Sequence, residues 1–244
     1  VGLLRSAGSV FLGKSNTAEF GQSATTANRL GPECGNPWDT SRTSGGSSGG
    51  AAAAVAAGLA TASLGSDGGG SIRIPAAMCG LVGIKPTFTP LPPSDLFRAM
   101  TRFVCAGPIA RSSADARELL AVQLGRDLSA QTRGPLRIGW CPAPEHRPVH
   151  PAIRAATAAA VEKLQARGHS VEVLDLPLDG WLDAFGAPVL FDEWKYRNQL
   201  LEEFSEELTR YVRRGIEAGR SITEADVHAA ALVQEQVRDR IARV

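Results

Sequence analysis

The sequence predicts an α/β fold, a mixed sheet covered by helices on both faces, and three consecutive stretches carry that expectation. Leu136-Arg137-Ile138-Gly139-Trp140 reads as a strand. From Pro151 to Arg167 the apolar positions Ile153, Ala156, Ala160, Val161 and Leu164 recur at helical spacing, and Gly168 stops the run. Val171-Glu172-Val173-Leu174 then reads as a second strand. A strand, a helix and a strand in series is the repeating unit of an α/β layer architecture.

The other elements follow in order. Val1 to Gly8 is an amphipathic run closed by glycine, and the apolar Ser9 to Leu12 reads as a strand after it. A long polar segment from Gly31 to Gly50 precedes Ala51 to Ala60, where alanine gives strong helix propensity with small side chains, so a buried helix is expected. Ala62-Ser63-Leu64-Gly65 is a plausible strand, and Ser66 to Ser71 is too glycine-rich for anything but a tight loop. Ser112-Ser113-Ala114-Asp115 opens a helix that runs to about Leu124. The region after Leu190 reads as mostly helical and amphipathic, ending in a helix from Thr223 to Val244. The whole of 1–244 reads as one partial domain, with its most distinctive part at about 1–125 and less typical α/β and helical sequence at about 126–244. Both ends look cut, so a fragment is expected.

Composition narrows the function classes. A chain of 244 residues is long enough to bury roughly 70–75% of its unfolded surface. The 26 basic and 25 acidic side chains are spread along the length and nearly cancel, which implies no basic face for nucleic acid. Cys34, Cys79, Cys105 and Cys141 lie far apart and form no CxxC pair or Cys/His cluster of metal-ligand spacing. The longest apolar stretch, Ala51 to Ala62, is too short and too weakly hydrophobic for a bilayer. No signal-peptide pattern is seen. A reducing, cytoplasmic setting is expected.

Two motifs are decoys. Gly8-Ser9-Val10-Phe11-Leu12-Gly13-Lys14-Ser15 fits the phosphate-loop pattern, but that loop needs exposed amides between strand and helix, whereas Val10, Phe11 and Leu12 read as a buried strand. Gly45-Gly46-Ser47-Ser48-Gly49 fits the nucleophile elbow, but Ser41 to Ser44 is a poor strand and none of His146, His150, His169 and His228 has a setting that nominates it as the base.

The informative pattern is longer: Ser44-Gly45-Gly46-Ser47-Ser48-Gly49-Gly50, an alanine helix, then Gly65-Ser66-Asp67-Gly68-Gly69-Gly70-Ser71-Ile72-Arg73-Ile74-Pro75. Three glycines before a serine let successive N–H groups converge on one concavity, the way an oxyanion hole is built. A flexible linker would not be flanked by Ile72, Ile74 and Pro75. The stretches GGSSGGAAAAVAAG and GSDGGGSIRIPAAMCGLVGIKPT closely resemble the signature of the amidase-signature family. Gly13-Lys14-Ser15-Asn16 with Glu19-Phe20, Asn36-Pro37-Trp38-Asp39, and Gly107-Pro108-Ile109-Ala110-Arg111 with Ala114-Asp115 resemble its flanking segments.

The resemblance implies a serine hydrolase that cleaves an amide C–N bond through an acyl-enzyme, with no metal or organic cofactor. It makes Ser71 the nucleophile and Ser47, on a cis peptide after Gly46, the relay for its proton. Gly68, Gly69 and Gly70, with the Ser71 amide, become the oxyanion hole. Gly68 stands where the family usually has threonine or isoleucine, which keeps the N–H and loosens the loop. If the relay holds, the two serine oxygens should lie within roughly 2.6–3.2 Å of each other.

The family's base is a lysine well upstream of the GKSN stretch, to which neither Lys14 nor Lys85 corresponds, so the chain as given is expected to turn over amides negligibly. Expected partners are a small-molecule amide and no membrane or nucleic acid, with room for a homo-oligomer. Two alternatives stay open: a catalytically silent fragment or pseudoenzyme, and the glutaminase-like subunit of an aminoacyl-tRNA amidotransferase.

Overall fold

The computed structural model describes residues 1–88, 102–129 and 134–244. The chain divides into two compact units, 1–129 with 189–221, and 130–188 with 222–244.

The first unit holds α1 (Gly2–Ser6), β1 (Gly35–Asn36), β2 (Asp39–Thr43), α2 (Gly49–Ala56), β3 (Ala62–Asp67), α3 (Arg73–Met78), β4 (Val82–Gly83), β5 (Cys105–Ala110) and α4 (Ser113–Leu124). β1 and β2 form a small antiparallel ladder, and β3, β5 and β4 form an antiparallel sheet in that order. Ala51, Ala52, Ile72, Ala76, Cys79 and Ile109 make the buried cluster between α2, α3 and β5. Alanine's small side chain is what lets α2 lie this close, and the glycines beside it are closer still. A Cβ on Gly50 would run into the main-chain oxygen and nitrogen of Asn16.

The second unit holds β6 (Arg137–Trp140), α5 (Pro151–Ala166) and β7 (Ser170–Val173), a strand, helix and parallel strand with Arg137 opposite Ser170 and Trp140 opposite Val173. A parallel pair needs a long crossover, which α5 supplies. α6 (Trp181–Phe204) crosses the division of the units at Pro188. α7 (Arg210–Gly219) belongs to the first unit, where Leu208, Val212 and Ile216 pack with Trp194, Leu200 and Leu201 of α6. α8 (Glu224–Ala242), in the second unit, opens with a reciprocal cap between Thr223 and Asp226.

The α/β class is observed, with the strands of the described residues in three sheets. The sequence reading differs from the structure in several places: β3 continues through Ser66 and Asp67, expected in the glycine loop, the helix expected at Ala51 to Ala60 is Gly49–Ala56, and two further segments differ. Ser9 to Leu12 forms no strand, and Val10 and Leu12 are 85% and 74% exposed, because a β-prone run becomes a strand only with a ladder partner and none of the described strands pairs with it. Ser41 to Thr43 does form a strand, as part of β2, because Asp39 and β1 pin an exposed polar hairpin there.

Gly50→Ala tests how tightly α2 is seated. In an open helix this change stabilises by roughly 0.5–1 kcal/mol. Here the new methyl meets backbone that cannot swing aside, so a net loss of about 1–3 kcal/mol is expected in chemical denaturation. A neutral or stabilised variant would show that the helix and the Asn16 segment are not in contact.

Candidate active site

Two loops converge at the ends of α2 and β3. The first, Ser44 to Gly49, contains a cis peptide between Gly46 and Ser47. Its geometry is set by Thr26, a fully buried residue whose hydroxyl donates to the carbonyl oxygens of Gly45 at 2.8 Å and Ser47 at 3.3 Å and accepts from the Gly49 amide at 2.9 Å. The Ser47 carbonyl is also bound by the Ala18 amide at 3.0 Å and the Thr17 hydroxyl at 2.9 Å. Ser47 itself is 2% exposed, and its Oγ faces Gly21, whose absent Cβ would lie 3.6 Å away. Glu19, in the same turn, caps α7 through the amide and hydroxyl of Thr209 at 2.8 Å and 2.6 Å. Phe20 lies under the Arg197 guanidinium, 4.5 Å from ring centre to Cζ.

The second loop, Gly68 to Ile72, is organised by Asp67. This carboxylate, inaccessible at the end of β3, accepts from the Gly70 amide at 2.7 Å, the Ile72 amide at 3.2 Å and the Arg73 amide at 3.4 Å, and from Arg73 Nε and Nη2, each at 2.9 Å. Burial by itself pushes the Asp67 carboxyl up. The Arg73 guanidinium and the Gly70 and Ile72 amides outweigh it, so the net displacement is below the ordinary carboxylate value. Gly70 adopts φ of +120°, and a Cβ there would lie 2.8 Å from Ile74 Cδ1, so this position requires glycine.

The two loops meet through one main-chain bond, from the Ser48 amide to the Ser71 carbonyl at 3.2 Å. The Ser47 and Ser71 segments therefore adjoin through this bond, with Ser71 half-buried and Ser47 buried. Among the described residues no direct hydrogen bond joins the two hydroxyls, and neither hydroxyl is bonded to a lysine, histidine or carboxylate. Of the expected oxyanion donors, the Gly70 amide is engaged by Asp67. The amides of Gly68, Gly69 and Ser71 donate to no acceptor among the described residues.

Both decoys fail on this structure, though for altered reasons. No α-helix starts at Gly13-Lys14-Ser15, only a three-residue 3-10 turn at Glu19–Gly21, so a phosphate would find no α-helix N-terminus there. A strand does precede the Ser47 turn, but Ser47 is buried, and among the described residues no histidine is hydrogen-bonded to its hydroxyl.

Thr26 and Asp67 are the positioning residues that sequence reasoning missed. Asp67 was within reach, since a lone acid ahead of three glycines has no apolar reason to be there. Thr26 carries no comparable signal, because its partners lie 19 to 23 positions away.

Two loops of small residues, one leaving the amides of Gly68, Gly69 and Ser71 without an acceptor among the described residues, make up the candidate site of this α/β protein. The family model described as Amidase matches residues 1–244, and the chain belongs to the amidase family. It is 34% identical over 247 residues to an acylamidase of Rhodococcus erythropolis, covering 89% of this chain and 51% of the relative. It is 43% identical over 145 residues to the A-type subunit of the glutamyl-tRNA(Gln) amidotransferase of Anaeromyxobacter dehalogenans, covering 56% of this chain and 30% of that one. A solved amidase crystal structure superposes with a TM-score of 0.88 at 32% identity, covering 98% of this chain and 55% of the other. The chain therefore spans about half, or less, of the length of these relatives.

Asp67→Asn is expected to destabilise the first unit by about 1.5–3 kcal/mol, the scale of hydrogen bonds to a charged acceptor. The lowered carboxyl value fixes the sign with pH. Its contribution is complete above the unfolded carboxylate value of about 3.9 and is lost as pH falls through the lower folded value. The wild type minus variant difference in denaturation free energy should shrink as the solution is acidified from neutral, and a difference independent of pH would contradict the assignment.

Proposed function

We propose that the whole protein hydrolyses a carbon–nitrogen amide bond through an acyl-enzyme on Ser71. Ser71 Oγ attacks the carbonyl carbon, its proton passes by way of Ser47, and the amides of Gly68, Gly69 and Ser71 receive the charge that develops on the carbonyl oxygen. Each oxyanion donor is worth roughly 2.7–4 kcal/mol in hydrolases of this kind. A serine hydroxyl still needs a base to take its proton, and the proposed base is a neutral lysine, as the family resemblance implies. The chemistry uses side chains and main-chain amides alone.

The observation that carries this reading is the glycine loop itself, with Asp67 drawing in Gly70 and Ile72 and leaving the amides of Gly68, Gly69 and Ser71 available beside the Ser71 hydroxyl. Likeness to an acylamidase supports an acyl amide as the substrate. A reducing, cytoplasmic setting is compatible with the four free thiols. Among the described residues no helix is long and apolar enough to cross a membrane.

The likeness to one component of an amidotransferase favours a second reading, glutamine hydrolysis within a multi-subunit complex. One assay separates the two. The full-length protein alone, given acyl anilides and, separately, glutamine, is expected to release the aryl amine, and Ser71→Ala should lower that turnover at least about 10³-fold. Ammonia release from glutamine only when partner proteins are added would favour the second reading. Anilide turnover unchanged in Ser71→Ala would overturn the proposal.

A further inference from the structure

Cys105 differs from the other cysteines in its neighbour. Lys85 Nζ donates to Cys105 Sγ at 3.5 Å while also donating to the Pro86 carbonyl at 3.1 Å. Among the described residues it is the only cysteine sulfur that receives a bond from a lysine. Cys79 is fully buried with its thiol on the Ser44 carbonyl, and burial first, then Cys34, pushes that thiol up, which makes it a poor nucleophile. Cys34 Sγ lies on the Gly35 carbonyl.

The position of the pair matters as much as its chemistry. Cys105 opens β5 and stands directly opposite Asp67 in the β3–β5 ladder. Directly paired residues of an antiparallel ladder project to the same face. Lys85 follows β4, whose course along β5 is continued by the Ile84 amide donating to the Pro108 carbonyl at 3.1 Å. Lys85 is half-buried and Cys105 is 2% exposed, so the sulfur is shielded from bulky reagents.

We propose that Lys85 and Cys105 form a redox modification site in which hydrogen peroxide joins the two side chains through a reversible sulfur–nitrogen bond. In the first step a peroxide oxygen passes to the Cys105 sulfur, giving a sulfenic acid and one water. Lys85, after its ammonium gives a proton to solvent, attacks that sulfur with its nitrogen lone pair. The S–N bond forms, the S–O bond breaks, and the leaving hydroxide takes a proton from the amine as a second water. Sulfur is oxidised by two electrons and peroxide is reduced by two. Condensation of a sulfenic acid with a neighbouring nitrogen is established chemistry for main-chain amides. A lysine on a flexible four-carbon stem needs only side-chain rotation to close the gap. The bond would tie the chain after β4 to the residue opposite Asp67, and so couple the oxidation state of the cell to the carboxylate that shapes the Ser71 loop.

The test is peptide mapping by mass spectrometry of the full-length protein treated with hydrogen peroxide and then blocked with a thiol alkylator. The expected result is a joined peptide pair containing Lys85 and Cys105, lighter by two hydrogens than the sum of its parts, separated again by dithiothreitol, and absent from Lys85→Arg and Cys105→Ser. A joined pair heavier by one further oxygen would show a more oxidised bridge and overturn the direct sulfur–nitrogen bond. Cys105 recovered as sulfinic or sulfonic acid with Lys85 free, Cys105 disulfide-bonded to another cysteine, or Cys105 left reduced while Cys34 and Cys141 oxidise would each overturn the proposal. Because the wild-type map decides the matter, a variant that fails to fold leaves the test intact.

Discussion

Asp67 is a carboxylate with no access to water that collects hydrogen bonds from the amides of Gly70, Ile72 and Arg73 and from the Arg73 guanidinium, and the shape of the candidate site follows from that collection. An unpaired buried carboxylate would cost several kcal/mol, so the loop folds around the charge until the charge is satisfied. The amides it draws in are occupied by the carboxylate, and those of Gly68, Gly69 and Ser71 are left without an internal acceptor among the described residues. An array of free amides is thus the consequence of a buried acid four positions before the serine. The glycines are needed because the turn passes through φ of +120° at Gly70 and because side chains would fill the concavity.

Thr26 does for the first loop what Asp67 does for the second, with a neutral group. Its one hydroxyl proton is shared between the carbonyls of Gly45 and Ser47, and its lone pair takes the Gly49 amide, so the chain entering and leaving Ser47 is clasped from a single point. The alanine-rich α2 then carries the chain from Ser47 toward β3 at a spacing that larger side chains would not allow, and the Ser48 amide closes the gap to the Ser71 carbonyl. Two independent clasps joined by one main-chain bond hold both serines while leaving the second half-exposed to a substrate.

The sequence made legible whatever depends on local chemistry. α4 runs from Ser113 to Leu124 behind a Ser112 cap and ends at a left-handed Gly125, and α5 and β7 fall within a residue or two of the positions that periodicity and Gly168 indicate. The glycine and serine spacing around Ser47 and Ser71 likewise pointed to the two loops. What escaped was whatever depends on a distant partner. Val10 to Leu12 has the composition of a strand and pairs with no described strand, whereas Ser41 to Thr43 lacks that composition and pairs with β1. The roles of Thr26 and Asp67 emerge only once several segments meet, and the capture of the Gly70 amide by Asp67 could not be read from three identical glycines.

The most direct test is a crystal structure of the full-length protein after reaction with a fluorophosphonate, whose phosphoryl oxygen stands in for the oxyanion. The account predicts a covalent bond to Ser71 Oγ, with the phosphoryl oxygen about 2.7–3.1 Å from amides among Gly68, Gly69 and Ser71 while the Gly70 amide stays on Asp67. An adduct on Ser47 or another residue, or a phosphoryl oxygen turned away from those amides, would contradict it.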